Sequence, residues 1–305
     1  MKNISQYKMI KNILITGGTG FVGTELSKNL QEQGYNVSLL SRKKELNNKN
    51  SYFWDIEKGI IDPKAIENND AIIHLAGENI SSKRWTAEQK QKIVDSRTQS
   101  TSILVNAIET SMNKPKIFIS ASAIGYYGYS EQDVIFTEED KSGNDFLAQT
   151  VSRWEESLKP LEKSNIRIIK LRIGVVMSKK GGALVKMMLP LKFGFISPIG
   201  SGKQYVPWIS LTDLCRLFLY SIENNQIEGI YNAVSSKAIT NKELTKSLAK
   251  NNKGIFLPIN VPSFILKLIF GEMASILLLG NRVSNQKILH SGFTIIHHDF
   301  EEFYK

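Results

Sequence analysis

The chain has 305 residues, of which 42% are hydrophobic and 22% charged, a composition that reads as an ordinary soluble globule with room for a sizeable core. A formal net charge of +10 raises the question of a polyanionic partner, but the lysines are scattered among asparagine and glutamate and form no basic stripe with interleaved aromatics, which argues against nucleic acid. Cys215 is the single cysteine, so no intrachain disulfide can form; its spacing from the four histidines suggests no metal site, and a reducing cytoplasmic compartment is the simplest expectation.

Met1–Met9 is polar and lacks the apolar core of a secretory signal. The run Ile13 to Gly23 then carries the most information: an apolar strand ending at Thr16 empties into Gly17, Gly20 and Gly23, spaced three apart. In a dinucleotide site the first such glycine permits the tight turn, the second lets backbone amides approach a pyrophosphate, and the third allows close helix packing. Thr24 to Gln33 reads as the following helix, with Leu26 and Leu30 on one face and Gly34 as its stop. A second strand, Tyr35 to Leu40, runs into Ser41-Arg42-Lys43-Lys44. An acidic residue here would bind an adenosine ribose, whereas Arg42 beside the Ser41 hydroxyl suits a ribose phosphate, favouring NADP over NAD; a solvated basic loop is the alternative.

Further strands are expected at Ala71 to Gly77, Lys116 to Ser120, Ile166 to Leu171 and Gly229 to Val234. Helices are expected at Ala87 to Ser111 and Phe146 to Leu161. This alternation points to an α/β fold, a Rossmann-type doubly wound parallel sheet spanning residues 9–235. From Gly181 to Gly202 glycine and proline punctuate short apolar pieces, the texture of loops that build a substrate pocket. Residues 255–305 read as a small C-terminal appendage on the substrate side, with an apolar helix within Pro262 to Leu279 and a short strand at Phe293 to Ile296. Lys267 and Glu272 interrupt the apolar stretch, which is too short to span a membrane. The long helix from Ala87 could pair two subunits as a homodimer, or only cover the sheet.

Taken together, these segments resemble the extended short-chain dehydrogenase/reductase superfamily, and within it the atypical NAD-dependent epimerase/dehydratase-like group of epimerase family proteins that carry a C-terminal domain of unknown function. The resemblance rests on Gly17 to Gly23, His74 to Ile80, Ser120 to Gly128, Asp145 to Ala148 with Trp154-Glu155, Leu171 to Val176 and Gly181 to Leu184. It continues through Gln204, Trp208-Ile209 and Asp213, and at the C-terminal end through Pro262, Gly271 to Ala274, Arg282-Val283 and Gly292-Phe293. It implies that Gly17, Thr19, Gly20, Phe21, Val22 and Gly23 cradle the phosphates, that Ser41 and Arg42 meet the ribose end and Asp55 and Ile56 the adenine. Leu75, Ala76 and Gly77 would then line the nicotinamide-side ribose, and Ser120 to Ser122 would end the strand bearing the superfamily's catalytic serine.

One departure is sharp. Relatives use a tyrosine followed four residues later by a lysine whose ammonium lowers the phenol's pKa. Counting back from Glu155 puts Leu147 and Val151 in those places, and neither transfers a proton. Ser122 with Tyr127 is the substitute catalytic set the sequence offers, Tyr126 being a neighbouring phenol; Arg97 could bind an anionic group or serve a salt bridge. Two functions follow. One is an NADP-dependent oxidoreductase or epimerase acting on a small molecule bearing hydroxyl or carbonyl groups, such as a sugar nucleotide. The other is an NADPH-binding protein without turnover, a redox sensor or partner-binding scaffold.

Overall fold

The computed structural model describes residues 10–43, 50–130 and 133–305; Met1–Met9 and Lys44 lie outside them. Strand β1 (Asn12–Thr16) shows why the fold has two layers. Ile13 and Ile15 point to one face and Leu14 to the other, and all three are fully buried. Helix α1 (Phe21–Glu32) packs Leu26 and Leu30 on the first face, together with Leu214, Leu217 and Phe218 of the helix Leu211–Glu223. After β2 (Asn36–Ser41) come β3 (Ser51–Asp55), β4 (Ile60–Ile61), the short α2 (Lys64–Glu67) and β5 (Ala71–His74). Helix α3 (Ala87–Thr110) covers the second face with Leu104, Val105 and Ile108, against Leu14, Ile72 and Phe118. Each such side chain contributes about 1.5–3 kcal/mol by leaving water.

Strand β6 (Ile117–Ala123) and helix α4 (Phe146–Glu156) complete the site-bearing elements. The sheet has eight strands in the order Gly229–Ala233, Arg167–Ile173, β6, β5, β1, β2, β3, β4. All neighbours pair in parallel except β3 with β4. Because the chain moves outward from β1 to β2 on one side and returns to β5 on the other, the carboxyl ends of β1 and β5 flank the switch point of the sheet, where open α/β folds bind ligands.

The structure departs from the sequence reading in several places. β6 runs three residues past Ser120, pairing to the end of Arg167–Ile173. The helix expected to reach Leu161 stops at Glu156 and is followed by a tight turn at Lys159–Lys163, since Pro160 cannot continue an α-helical ladder. The apolar stretch from Pro262 breaks at Gly271, whose φ of +62° ends the helix Ser263–Phe270. Among the described residues no helix is long and apolar enough to cross a membrane.

No strand forms at Phe293–Ile296. The alternation that suggested one is real, Phe293 and Ile295 being buried, but the Ile296 and His297 amides donate to the carboxylate of Asp213 instead of to a neighbouring strand. Burial pushes the Asp213 carboxyl up, while these amides and Ser210 more than offset it and hold it below the usual range. With Ile288, Phe293 and Ile295, the C-terminal segment enters the main core, so it is knitted into the fold more closely than an appendage.

Candidate cofactor and active site

The glycine turn is shaped by what a side chain would strike. Gly17 has a φ of +67°, and a Cβ there would lie 3.0 Å from the Leu75 and Ala76 backbone. A Cβ on Gly23 would lie 2.3 Å from the Gly17 carbonyl oxygen, so α1 can sit against the turn only with glycine there. Gly20 is the N-cap of α1, and no side chain caps this twelve-residue helix or places a carboxylate in its first turn. Its first amides therefore present a positive end and open donors at the switch point, with Thr19, Phe21 and Val22 around them. Phe21 lays its ring on Gly181 and Gly182, where a Cβ would approach it within 3.0 and 2.7 Å, so the hairpin through 178–182 folds over the same end of α1.

Ser41 is the last residue of β2, its hydroxyl accepting the Lys43 amide at 3.2 Å, and the exposed Arg42 follows it. Asp55 ends the adjacent β3, where it accepts the Lys58 amide at 3.1 Å, and Ile56 packs on the core beneath. Ser41, Arg42, Asp55 and Ile56 thus cluster on the β2–β3 side of the switch point, away from β6.

On the other side, sequence reading missed the group that fixes the end of β5. The Leu75 and Ala76 amides both donate to Thr16 Oγ1, at 3.1 Å each. Thr16 is left to donate its own proton to His74 Nδ1, 2.7 Å away. Ser100 and Thr101 give their hydroxyl protons to α3 carbonyls, so they accept from His74 Nε2 at 3.2 Å. This proton count makes His74 a neutral Nε2–H tautomer. Full burial, and then the charge of Arg97, push its pKa down to about 3. A histidine ending an apolar strand was the available signal.

The second unanticipated group lies under β6. Glu155 and Arg172 form a bidentate pair, Nε and Nη2 each 2.8 Å from a carboxylate oxygen, with Arg172 1% exposed. Ser122 donates to the same carboxylate at 2.6 Å. Arg172 Nη1 donates to the Tyr127 hydroxyl at 3.1 Å, which donates in turn to Asn232 Oδ1 at 2.6 Å. The guanidinium also faces the Tyr126 ring, 3.4 Å from its centroid. Tyr127 is 2% exposed, and burial pushes its phenol up to about 12. Ser120 is buried as well, its hydroxyl donating to the Ala121 carbonyl. The structure thus brings Ser122 and Tyr127 into one network, but as buried groups with their protons committed. That geometry disagrees with their expected part as a proton-donating pair, because neither hydroxyl is free to reach a substrate.

At Leu147 and Val151 the surface is aliphatic, and both pack against Gly125, where a Cβ would touch Leu147 Cβ at 3.5 Å and Val151 at 4.0 Å. Arg97 of α3 lies beside Gly77, a Cβ there meeting its Cζ at 3.2 Å, and over the Trp154 ring at 5.4 Å. Among the described residues no group of histidine, cysteine and carboxylate side chains is arranged to hold a metal ion.

Residues 13–233 match the NAD dependent epimerase/dehydratase family, and residues 261–303 match a domain of unknown function, DUF1731. The chain belongs to the NAD dependent epimerase/dehydratase family. Epimerase family protein YfhF of Bacillus subtilis is 36% identical over 95% of both chains. Human epimerase family protein SDR39U1 is 33% identical over 92% of this chain and 94% of its own. The crystal structure of the latter (isoform 2) with NADPH superposes with a TM-score of 0.87 at 30% identity, covering 96% of this chain and 98% of that one. A UDP-glucose 4-epimerase of Thermotoga maritima shares the fold at 20% identity, with a TM-score of 0.75.

In space the glycine turn, the β2 end and the β5 end all meet the switch point. Leu147 and Val151, where the resemblance expects a tyrosine and a lysine, are aliphatic, and Ser122 donates to the buried Glu155–Arg172 pair.

Proposed function

We propose that this protein binds NADPH across the switch point and uses it as an oxidoreductase or epimerase on a small molecule bearing a hydroxyl or carbonyl group. The observation that carries the reading is the uncapped N-terminus of α1 behind a glycine turn with no room for side chains. The amides of that turn bind the phosphates; Arg42 and Ser41 select the ribose phosphate; Asp55 and Ile56 flank the adenine; Leu75 to Gly77, pinned by Thr16, border the other ribose. The NADPH seen in the SDR39U1 crystal structure supports the choice of cofactor. When bound, the nicotinamide supplies a hydride at C4. Glu155 and Arg172 hold Ser122 and Tyr127 rigid beneath the site, and Leu147 with Val151 keep the adjoining wall dry.

A second reading has its own observation: with Leu147 and Val151 aliphatic and the Ser122 and Tyr127 protons committed, the protein would hold NADPH without turnover, as a redox sensor or scaffold. Incubation with NADPH deuterated at C4 and a panel of ketones, aldehydes and oxo acids separates the two. Transfer of the label to a product, read by mass spectrometry, supports the oxidoreductase. Micromolar NADPH binding with no label transferred, and no epimerised product from hydroxyl-bearing substrates with NADP⁺, supports the sensor.

A further inference from the structure

Arg97, Arg167 and Arg172 carry guanidinium groups that are buried or partly buried, and two of them have several acceptors each. Arg172 has the Glu155 carboxylate and the Tyr127 hydroxyl. Arg167 donates to the carbonyls of Ser221, Ile222, Asn224 and Ile227. Arg97 makes a single hydrogen bond, from Nη1 to the Ile93 carbonyl at 2.9 Å, although a guanidinium has five donors. No carboxylate lies within ion-pair distance of it among the described residues. Glu78 raises its pKa only through a longer-range charge, and that carboxylate is turned to Gln89 and Ser82.

The surroundings deepen the imbalance. Desolvation lowers the Arg97 pKa to about 10, the cost of holding a cation away from water without a partner. The indole Nε1 of Trp154, whose ring underlies the guanidinium, is buried and has no acceptor. Two donor groups therefore sit side by side with a shortage of acceptors. Gly77, the residue against the guanidinium, is the last of the Leu75–Gly77 segment that ends β5 at the switch point. Replacing a bare glycine there by any side chain would push Arg97 away.

We propose that Arg97 is a substrate-anchoring residue that receives the carboxylate of a small acidic carbonyl compound in the NADPH-bound protein. The inference rests on the cofactor reading given above and adds the substrate class to it. A planar carboxylate matches the guanidinium fork with two parallel hydrogen bonds and neutralises a charge that no carboxylate among the described residues pairs with. The apolar side chains of Leu147 and Val151, on the helix that also carries Trp154, suit the hydrocarbon part of such a molecule.

The test is a fluorescence titration of the protein saturated with NADPH, using pyruvate, acetoacetate and 2-oxoglutarate, each beside its uncharged methyl ester, and inorganic phosphate as a separate arm. The expected result is saturable binding of at least one free acid, not of its ester. Arg97→Met should weaken that binding by at least about tenfold, and Arg97→Lys, which keeps charge but loses the fork, should recover only part of it. Binding by none of the acids, equal binding of acid and ester, binding of phosphate alone, or an acid affinity unchanged in Arg97→Met overturns the proposal. The NADPH affinity of each variant, measured first, should match wild type within about twofold. Loss of NADPH binding in Arg97→Met alone would make Arg97 a cofactor residue and overturn the proposal, whereas failure of the unaltered protein to bind NADPH defeats the cofactor reading itself.

Discussion

Replacing Glu155 by glutamine should be among the most damaging isosteric changes available to this protein. The carboxylate accepts from Arg172 Nε and Nη2 at 2.8 Å and from Ser122 at 2.6 Å, with the two charged side chains 8% and 2% exposed. Glutamine fills the same volume but leaves the guanidinium without a counter-ion in a place water does not reach, and its own amide group opposes the donors of Arg172. Breaking a buried pair by removing one partner costs about 3–5 kcal/mol, a large part of the 5–15 kcal/mol typical of a whole domain. Replacing the pair by apolar residues of similar size is often neutral, so Glu155→Met with Arg172→Met should recover most of that loss. Urea denaturation followed by circular dichroism measures both. A Glu155→Gln protein within about 1 kcal/mol of wild type, or a double variant no better than the single one, refutes the claim that an uncompensated charge dominates.

Two further predictions concern the cofactor half. Folded His74 stays neutral down to about pH 3, while in the unfolded chain it takes up a proton below about 6.5, so stability present above that value is lost as pH falls, by about 1.4 kcal/mol per unit. His74→Asn should lose this part of the slope between pH 6.5 and 4.5 in denaturation curves; parallel curves for the two proteins count against the neutral tautomer. Gly23→Ala puts a Cβ 2.3 Å from the Gly17 carbonyl, so the turn must shift, and NADPH affinity should fall by at least about tenfold in a fluorescence titration. An unchanged affinity would mean that the turn does not hold the phosphates.

Much of the sheet could be read from periodicity, because strands buried on both faces show as short apolar runs, and β1, β5 and β6 all do. The glycine turn was equally legible, since Gly17, Gly20 and Gly23 follow an apolar strand at the spacing of a dinucleotide turn, although the Leu75–Ala76 backbone that crowds Gly17 shows only in the fold. Phe293 and Ile295 misled because alternation reports burial and not a pairing partner, and only the fold reveals that Asp213 takes the backbone donors. Partnerships across long sequence distances left little trace. Glu155 with Arg172, and Thr16 with His74, look in the sequence like isolated polar residues in apolar elements; the first pair meets through the stacking of α4 on the sheet and the second through the pairing of β1 with β5. Ser122 and Tyr127 stand close together in the sequence, but their protons are taken by Glu155 and Asn232, which no local pattern connects to them.

The most direct test of the account is a calorimetric titration of the purified protein with NADPH and with NADH, repeated on Arg42→Asp. One NADPH per chain should bind with micromolar affinity, NADH at least about tenfold more weakly, and Arg42→Asp should narrow or reverse that preference without unfolding the protein. Binding of neither nucleotide, or equal binding of both that Arg42→Asp leaves unchanged, would contradict the assignment of the switch point as an NADPH site.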